Sequence, residues 1–212
     1  MGKLFSLDSP LMTFLNQMAD LVILNILAII CCIPVVTIGA AMTALYDAVG
    51  KLQQEEGGLY AAYFRAFKSN FRKATAIWLL FLAVGVLLLF GMYFYSAVSV
   101  VGGQLLMGLS VMLFFLWAAA LAWAFPLQSR FENTVLTTVR NAFAFAIAYL
   151  PRSIPMVVLN LLPWVLLVFF TGVFFSVSIF WLAIGIALTV YTNLLLIRKP
   201  FHRQIEKSQN TE

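Results

Sequence analysis

Residues 154–197 form a run of 44 residues with no charged side chain and no histidine. A transmembrane α-helix needs about 20 apolar residues to cross about 30 Å of hydrocarbon. The run is therefore long enough for two crossings of a bilayer joined by a tight turn, which we predict at Thr171-Gly172. This stretch alone makes the bilayer the expected solvent for the chain.

The rest of the 212-residue chain has the same character, with 63% hydrophobic and 10% charged residues. Soluble domains average about 45–50% apolar and about 25% charged residues. The alternation of a transmembrane β-barrel is absent. We therefore predict an all-α polytopic membrane bundle of about five transmembrane helices, formed by a single domain over residues 1–212. The predicted spans are 20–36, 74–98, 105–127, 154–172 and 174–197.

The Lys and Arg residues are concentrated in alternate connections. The segments after the first, third and fifth spans hold 12 of the 13, and Lys3 is the remaining one. Cytoplasmic loops carry the excess of these residues in membrane proteins. The N-terminus is therefore predicted outside and the C-terminus in the cytoplasm, an arrangement that an even number of spans would break.

Two of the predicted cytoplasmic connections show helical periodicity. In residues 59–73 an aromatic face lies opposite a basic face, and in residues 132–148 an apolar stripe lies opposite polar and charged side chains. Both patterns are typical of helices that lie in the membrane interface. Each helix either covers the inner end of the bundle or docks a partner, and the sequence leaves both interpretations open. The basic interfacial site predicted in the first helix consists of Arg65, Lys68, Asn70, Phe71 and Arg72.

The five predicted spans contain no Glu, Lys, Arg or His and a single Asp, Asp20, which is the first residue of the first span. His202 is the one histidine in the sequence. Ionisable groups within a membrane mark proton relays and ion pathways, so a proton-coupled transporter is disfavoured. Because this histidine lies in the basic C-terminal tail, catalytic triads and H-E-x-x-H metal sites are excluded. We predict that the chain is not an enzyme and has no catalytic residues, metal site, cofactor or nucleic-acid partner. The adjacent Cys31 and Cys32 are interpreted as small buried hydrophobes.

Three asparagines, Asn25, Asn160 and Asn193, lie within the predicted spans. Amide side chains of this kind make hydrogen bonds between membrane helices. The alternative is that they line a passage for an uncharged polar solute such as a sugar.

Residues 31–49 pass from a proline to a string of small side chains. Pro34 has no N–H for the helix ladder and is expected to end the first span. The small residues that follow allow another backbone to approach closely. This elbow is either a tight packing contact within the chain or a face for a partner subunit. The residues of the elbow are Pro34, Thr37, Gly39, Ala40, Ala41 and Ala44.

The segments LNILAIICCIPVVTIGAAMTALYDAV and YFRAFKSNFRKATAIWLL resemble the YesL-like family of bacterial membrane proteins. In that family a first helix runs into a proline, then a T-x-G-A-A-x-x-A-L turn, then an N-F-(R/K) segment. The resemblance implies a multi-pass protein of the bacterial plasma membrane that accompanies carbohydrate uptake systems, with no established biochemical activity. The matching residues are Asn25, Pro34, Thr37, Gly39, Ala40, Ala41, Ala44, Leu45, Asn70, Phe71 and Arg72.

The connection before the last two spans is similar to the coupling loop of sugar-importing ABC permeases. That loop reads E-A-A, then G, then F-x-x-I-x-L-P-x-x-x-P, and two spans follow it. This chain departs from the pattern at Asn133-Thr134, which replaces A-A, and at Ala148, which replaces the isoleucine. The predicted coupling or partner loop comprises Glu132, Arg140, Phe145, Leu150, Pro151 and Pro155.

Together these features predict an accessory or permease-like membrane subunit of a carbohydrate importer of the ABC type. Its expected partners are the lipid bilayer and the permease or ATPase subunits, with a homo-oligomer as a further arrangement. Two alternatives remain open. One is a signalling or regulatory membrane protein linked to a sensor kinase, and the other is a stand-alone carrier of an uncharged polar solute.

Overall fold

The computed structural model describes residues 10–97 and 102–209, and every regular element within them is helical. The predicted all-α class is therefore confirmed. Lys3 and Val98, which entered the predicted orientation and the second predicted span, lie outside the described residues. The helices are α1 (Pro10–Cys32), α2 (Ile38–Leu52), α3 (Leu59–Ala97), α4 (Gly103–Arg130), α5 (Val135–Ala148), α6 (Leu150–Phe169), α7 (Thr171–Phe180) and α8 (Ile186–Gln209).

Six helical stretches in the described residues are long and apolar enough to cross a membrane, one more than the five predicted spans. The additional stretch is Val35–Leu52, which the sequence pattern assigned to a connection. It is 61% buried inside the protein, against 17–22% for the other five. Its apolar character thus suits a protein interior as well as a bilayer. The predicted orientation of the termini stays a prediction.

The first helix runs from Pro10 to Cys32, so it begins ten residues before the predicted span 20–36 and ends four residues earlier than predicted. Its end lies two residues before Pro34, as the missing proline N–H predicts. A 3-10 turn over Val35–Thr37 then leads into α2. The Thr37 hydroxyl lies 2.6 Å from the carbonyl oxygen of Cys31 and 2.7 Å from that of Pro34. The indole N–H of Trp78 in α3 donates to the carbonyl oxygen of Val35 at 2.8 Å. The reversal between α1 and α2 is therefore held by hydrogen bonds within the chain.

The predicted interfacial helix at 59–73 is wrong as a separate element. Residues 59–97 form the single 39-residue helix α3, about 58 Å long. No glycine or proline occurs between Leu59 and Val84, so nothing interrupts the helix where the basic segment meets the apolar one. The aromatic side chains also divide between two surroundings, because Tyr63 is fully buried while Phe64 and Phe71 are exposed.

The second predicted amphipathic helix is present as α5, which begins at Val135 rather than at 132. Thr134 caps it, since its hydroxyl accepts the backbone N–H of Thr137 at 3.3 Å. The apolar stripe faces the bundle, and Ala142 and Ala146 are fully buried or nearly so. Glu132 and Arg140 are exposed on the other side.

Prolines lie before and after α5, within α4 and at the start of α6. Pro126 lies within α4, and the helix continues past it to Arg130. The chain breaks at Tyr149, and α6 starts with Pro151 in its first turn, where a missing N–H costs little. Pro155 lies inside α6, so the fourth predicted span begins at Leu150 rather than at residue 154.

The last 44-residue apolar run contains a break at Phe170, one residue before the predicted Thr171-Gly172 turn. A π-helical turn over Trp181–Gly185 then joins α7 to α8. Asn25 of α1 reaches this turn and is fully buried. Its amide N–H donates to the carbonyl oxygen of Leu182 at 2.7 Å, and its side-chain oxygen accepts the backbone N–H of Ala187 at 2.9 Å. The side chain thus bridges two backbone groups five residues apart, the spacing of a π-helical hydrogen bond.

The core of the bundle includes Trp123 of α4, whose side chain is fully buried. Its indole N–H donates to the Ser153 hydroxyl of α6 at 2.9 Å. Its ring contacts those of Phe145 and Tyr149, with centroids 5.3 and 5.9 Å away. Three consecutive elements, α4, α5 and α6, are therefore joined at one side chain.

Candidate functional site

The C-terminal ends of α2 and α4 and the first turns of α3 form the walls of an open polar cavity of about 440 Å³. Small-molecule sites in proteins typically occupy about 300–1,000 Å³. The buried Ala62 and Ala66 of α3 line part of the wall, together with Ser69, Asn70, Gln128 and Ser129. We call this space the basic cavity. Its charged lining residues are Asp47, Lys51, Arg65, Lys73, Arg130 and Glu132.

A chain of hydrogen bonds fixes the helices that form the basic cavity. Thr138 of α5 donates its hydroxyl to the side-chain oxygen of Gln128 in α4 at 2.9 Å. Gln128 in turn donates to the side-chain oxygen of Asn70 in α3 at 3.0 Å. Asn70 also donates to the carbonyl oxygen of Ala66 in its own helix at 3.2 Å. Since Thr138 and Gln128 are buried, leaving any of these groups unpaired would destabilise the bundle.

The charges of the basic cavity do not cancel. Lys51 pairs with Asp47 one turn earlier, with Nζ 3.6 Å from the carboxylate. In the described part of the chain, Arg65, Lys73 and Arg130 have no carboxylate oxygen within 4 Å. The four cations and two carboxylates of the wall leave an excess of two positive charges. The arrangement is therefore suited to attract and hold an anion.

Arg130 lies against the bare backbone of α2. A Cβ built on Gly50 would lie 3.0 Å from the Nη2 atom of Arg130. Gly50 is itself buried, so its missing side chain gives the guanidinium its place at the rim of the cavity.

The predicted basic interfacial residues fall into two groups on α3. Arg65 and Asn70 line the basic cavity, whereas Lys68, Phe71 and Arg72 do not. Lys68 and Arg72 are exposed and, within the residues that the structure describes, have no carboxylate oxygen within 4 Å. Arg65 and Lys73 are exposed as well, so the two pairs of cations on this helix differ in that only Arg65 and Lys73 line the basic cavity.

The predicted elbow residues are brought together with α3. Gly39, Ala40, Ala41 and Ala44 are buried, and Pro34 and Thr37 form the turn before them. A Cβ on Gly39 would overlap the carbonyl oxygen of Ala74 and lie 2.6 Å from the Cβ of Trp78. The small residues thus let α2 approach the backbone of α3, and this chain itself covers them.

The predicted coupling-loop residues lie in α5, its flanking turns and the start of α6. Phe145 is nearly buried in the core against Trp123, while Glu132, Arg140, Leu150 and Pro151 are exposed. Pro155 is half-buried. Glu132 also lines the basic cavity, and Arg140 does not.

The three predicted lining asparagines are not brought together. Asn25 bridges the π-helical turn, and Asn193 of α8 donates to the hydroxyl of Tyr46 in α2 at 3.0 Å. Asn160 donates to the carbonyl oxygen of Met156, one turn earlier in its own helix, at 2.7 Å. None of the three lines the basic cavity.

Five charged or amide residues of the cavity were not among the predicted site residues. They are Asp47, Lys51, Lys73, Gln128 and Arg130. The signal that marks them is the position of each polar residue at the boundary of an apolar helix. Lys73 directly precedes the apolar part of α3, and Gln128 directly follows that of α4.

The hydrogen-bond donors of the basic cavity are the amides, hydroxyls, lysines and arginines of its lining. Its lining residues include no histidine and no cysteine. In the described residues, no group of three or more His, Cys, Asp or Glu side chains could hold a metal ion. What the cavity offers is positive charge and hydrogen-bond donors on fixed helices.

The fold and this cavity define a helical membrane-type bundle with a basic polar cavity at the ends of three helices. Residues 21–92, about a third of the chain, match a protein family described as "Protein of unknown function, DUF624". The matched segment runs from α1 through α2 into α3 and includes the elbow. No curated protein and no solved structure matches the chain.

Proposed function

We propose that this chain is a non-enzymatic accessory subunit of a carbohydrate importer of the ABC type in a bacterial plasma membrane. The match to the family of unknown function supports this, because that family is the domain family of YesL-like proteins. The residues that resemble YesL-like proteins, from Asn25 to Arg72, all lie within the matched segment 21–92.

The observation that carries the proposal is the surface of α5. This helix is held to the bundle by the Thr138–Gln128 hydrogen bond and by Phe145 against Trp123. Its outer face carries Arg140, with Glu132 in the preceding turn. A short helix that is seated on the bundle by one face and exposes Arg140 and Leu136 on the other offers a surface on which an ATPase or permease subunit can dock.

The two charges of this surface have opposite signs, so they favour one orientation of a complementary partner and disfavour others. Exposed single charges contribute little to folding stability, typically about 0–1 kcal/mol. Reversing them should therefore change association without unfolding the chain.

The test is affinity purification of the tagged full-length chain from its native membrane in mild detergent, followed by mass spectrometry. We expect a permease or ATPase subunit in stoichiometric amount. The double variant Glu132→Lys with Arg140→Glu should recover at least about tenfold less of that subunit, since each reversed contact costs on the order of 1 kcal/mol or more. A matched control, Glu56→Lys with Lys68→Glu, reverses two exposed charges elsewhere and should retain the partner.

The other outcomes of this purification discriminate the remaining hypotheses. A sensor kinase in place of importer subunits would support the signalling alternative. A chain purified alone or as a homo-oligomer, with the double variant behaving like the wild type, would overturn the accessory role. The carrier alternative requires that Asn25, Asn160 and Asn193 face a solute, whereas Asn25 and Asn193 bond to other helices of this chain.

A further inference from the structure

We propose that the basic cavity binds a phosphate-bearing ligand. The ligand chemistry is a phosphomonoester or phosphodiester group, supplied either by the headgroup of an anionic phospholipid or by a soluble phosphate compound. This binding goes beyond the accessory role and does not depend on it.

The charge distribution is the first argument. Asp47 partly neutralises Lys51, which leaves Arg65, Lys73 and Arg130 as the cations without a nearby carboxylate among the described residues. Arginine presents a planar fork of donors that matches two oxygens of a phosphate, and lysine adds a point charge. A single carboxylate, that of Glu132, opposes these three cations.

The rigidity of the wall is the second argument. The three cations come from two helices, α3 and α4, whose relative position is fixed by the Gln128–Asn70 hydrogen bond at 3.0 Å. The third helix, α2, carries Gly50, whose missing side chain leaves room for the guanidinium of Arg130. The helices that carry the cations are thus positioned before a ligand binds, which reduces the conformational entropy lost on binding.

The position of the cavity along the helices is the third argument. The apolar part of α3 begins at Ala74, directly after Lys73, and the apolar part of α4 ends at Leu127, three residues before Arg130. The cavity therefore lies where apolar helix surface changes to charged surface. Basic pockets between membrane helices at this level bind the head groups of anionic lipids.

The test uses the purified full-length chain in a neutral detergent, with thermal unfolding and native mass spectrometry as readouts. The probes are phosphatidylglycerol, phosphatidylcholine as the zwitterionic control, and inorganic phosphate. We expect phosphatidylglycerol to raise the Tm and to remain bound in the mass spectrum, and phosphatidylcholine to do neither. Protection by inorganic phosphate at least equal to that by the lipid would assign the site to a soluble ligand.

Matched variants on one helix locate the site. Arg65→Gln with Lys73→Gln should weaken binding at least tenfold, whereas Lys68→Gln with Arg72→Gln removes the same charge outside the cavity and should leave it unchanged. The charge-preserving pair Arg65→Lys with Lys73→Arg should retain binding, which controls for misfolding. Equal weakening by the two glutamine pairs, or no binding of either phosphate probe, would overturn the proposal.

Discussion

Two short helices of the bundle, α2 and α5, are similar in length and placement but differ in what covers them. Each follows an apolar helix and precedes another, and they contain 15 and 14 residues. Eleven residues of α2 are buried, against four of α5. The helix α2 is thus enclosed by the rest of the chain, whereas α5 contacts the bundle on one side only.

Side-chain size explains this difference. Gly39 of α2 lies against the backbone of α3 at Ala74, and the neighbouring Ala40, Ala41 and Ala44 are fully buried, so small side chains let the two backbones come close together. On α5, Leu136 is 78% exposed and Arg140 is exposed as well. A string of small residues in a membrane helix can therefore mark an interior helix, and the more exposed surface lies on the helix with larger side chains.

The largest effect is expected for Gly39→Leu in α2. Its Cβ alone would overlap the Ala74 carbonyl oxygen, so the side chain would force α2 away from α3. The free energy of unfolding in detergent should fall by about 3 kcal/mol or more, the upper end for overpacked sites. Gly108→Leu in α4 is the matched control, because no atom lies within 4 Å of its Cβ position. Equal stability of both variants would remove the basis for an enclosed α2.

An intermediate effect is expected for Tyr46→Phe, also in α2. The hydroxyl of Tyr46 is the acceptor for the buried amide N–H of Asn193, whose side-chain oxygen has no partner among the described residues. Without the hydroxyl the whole amide is unpaired, which should lower the free energy of unfolding by about 2 kcal/mol. Tyr93→Phe is the control, since Tyr93 is 72% exposed. Chemical denaturation of the three proteins would measure this, and a silent Tyr46→Phe would contradict the enclosed packing of α2.

The smallest effect is expected on α5. Thr138→Val keeps the shape of the side chain and removes its hydrogen bond to Gln128, so stability should fall by about 1 kcal/mol. Thr192→Val, which loses a bond only to the Leu188 carbonyl oxygen of its own helix, is the control. If Thr138→Val were as harmful as Gly39→Leu, α5 would belong to the interior and not to the surface.

Local chemistry explains which parts of this fold the sequence predicts. The end of α1 before Pro34 and the helical nature of α5 depend on neighbouring residues, and both predictions are confirmed. The boundary at residue 73 was wrong because a change from basic to apolar side chains does not end a helix that lacks a glycine or proline. The burial of α2 was not predicted because small residues suit an elbow, a partner face and an interior helix equally well.

The basic cavity was out of reach of the sequence for a different reason. Its cations come from positions 51, 65, 73 and 130, and only tertiary packing brings these together. The bond between Gln128 and Asn70 spans 58 residues, and each amide alone resembles an ordinary polar residue near a helix end. A pairing of this kind follows from the arrangement of helices, which local patterns do not encode.

The bridge from Asn25 to the π-helical turn has a consequence for the order in which the protein is made. Its two partners, Leu182 and Ala187, follow Asn25 by 157 and 162 residues. At a synthesis rate of about 5–20 residues per second, the amide waits roughly 8–30 s for them. During this interval it must be solvated by water, lipid head groups or the insertion machinery, because an unpaired amide is costly in hydrocarbon. The hydrogen bonds of Asn25 in the first helix are thus completed only when the last helix has been synthesised.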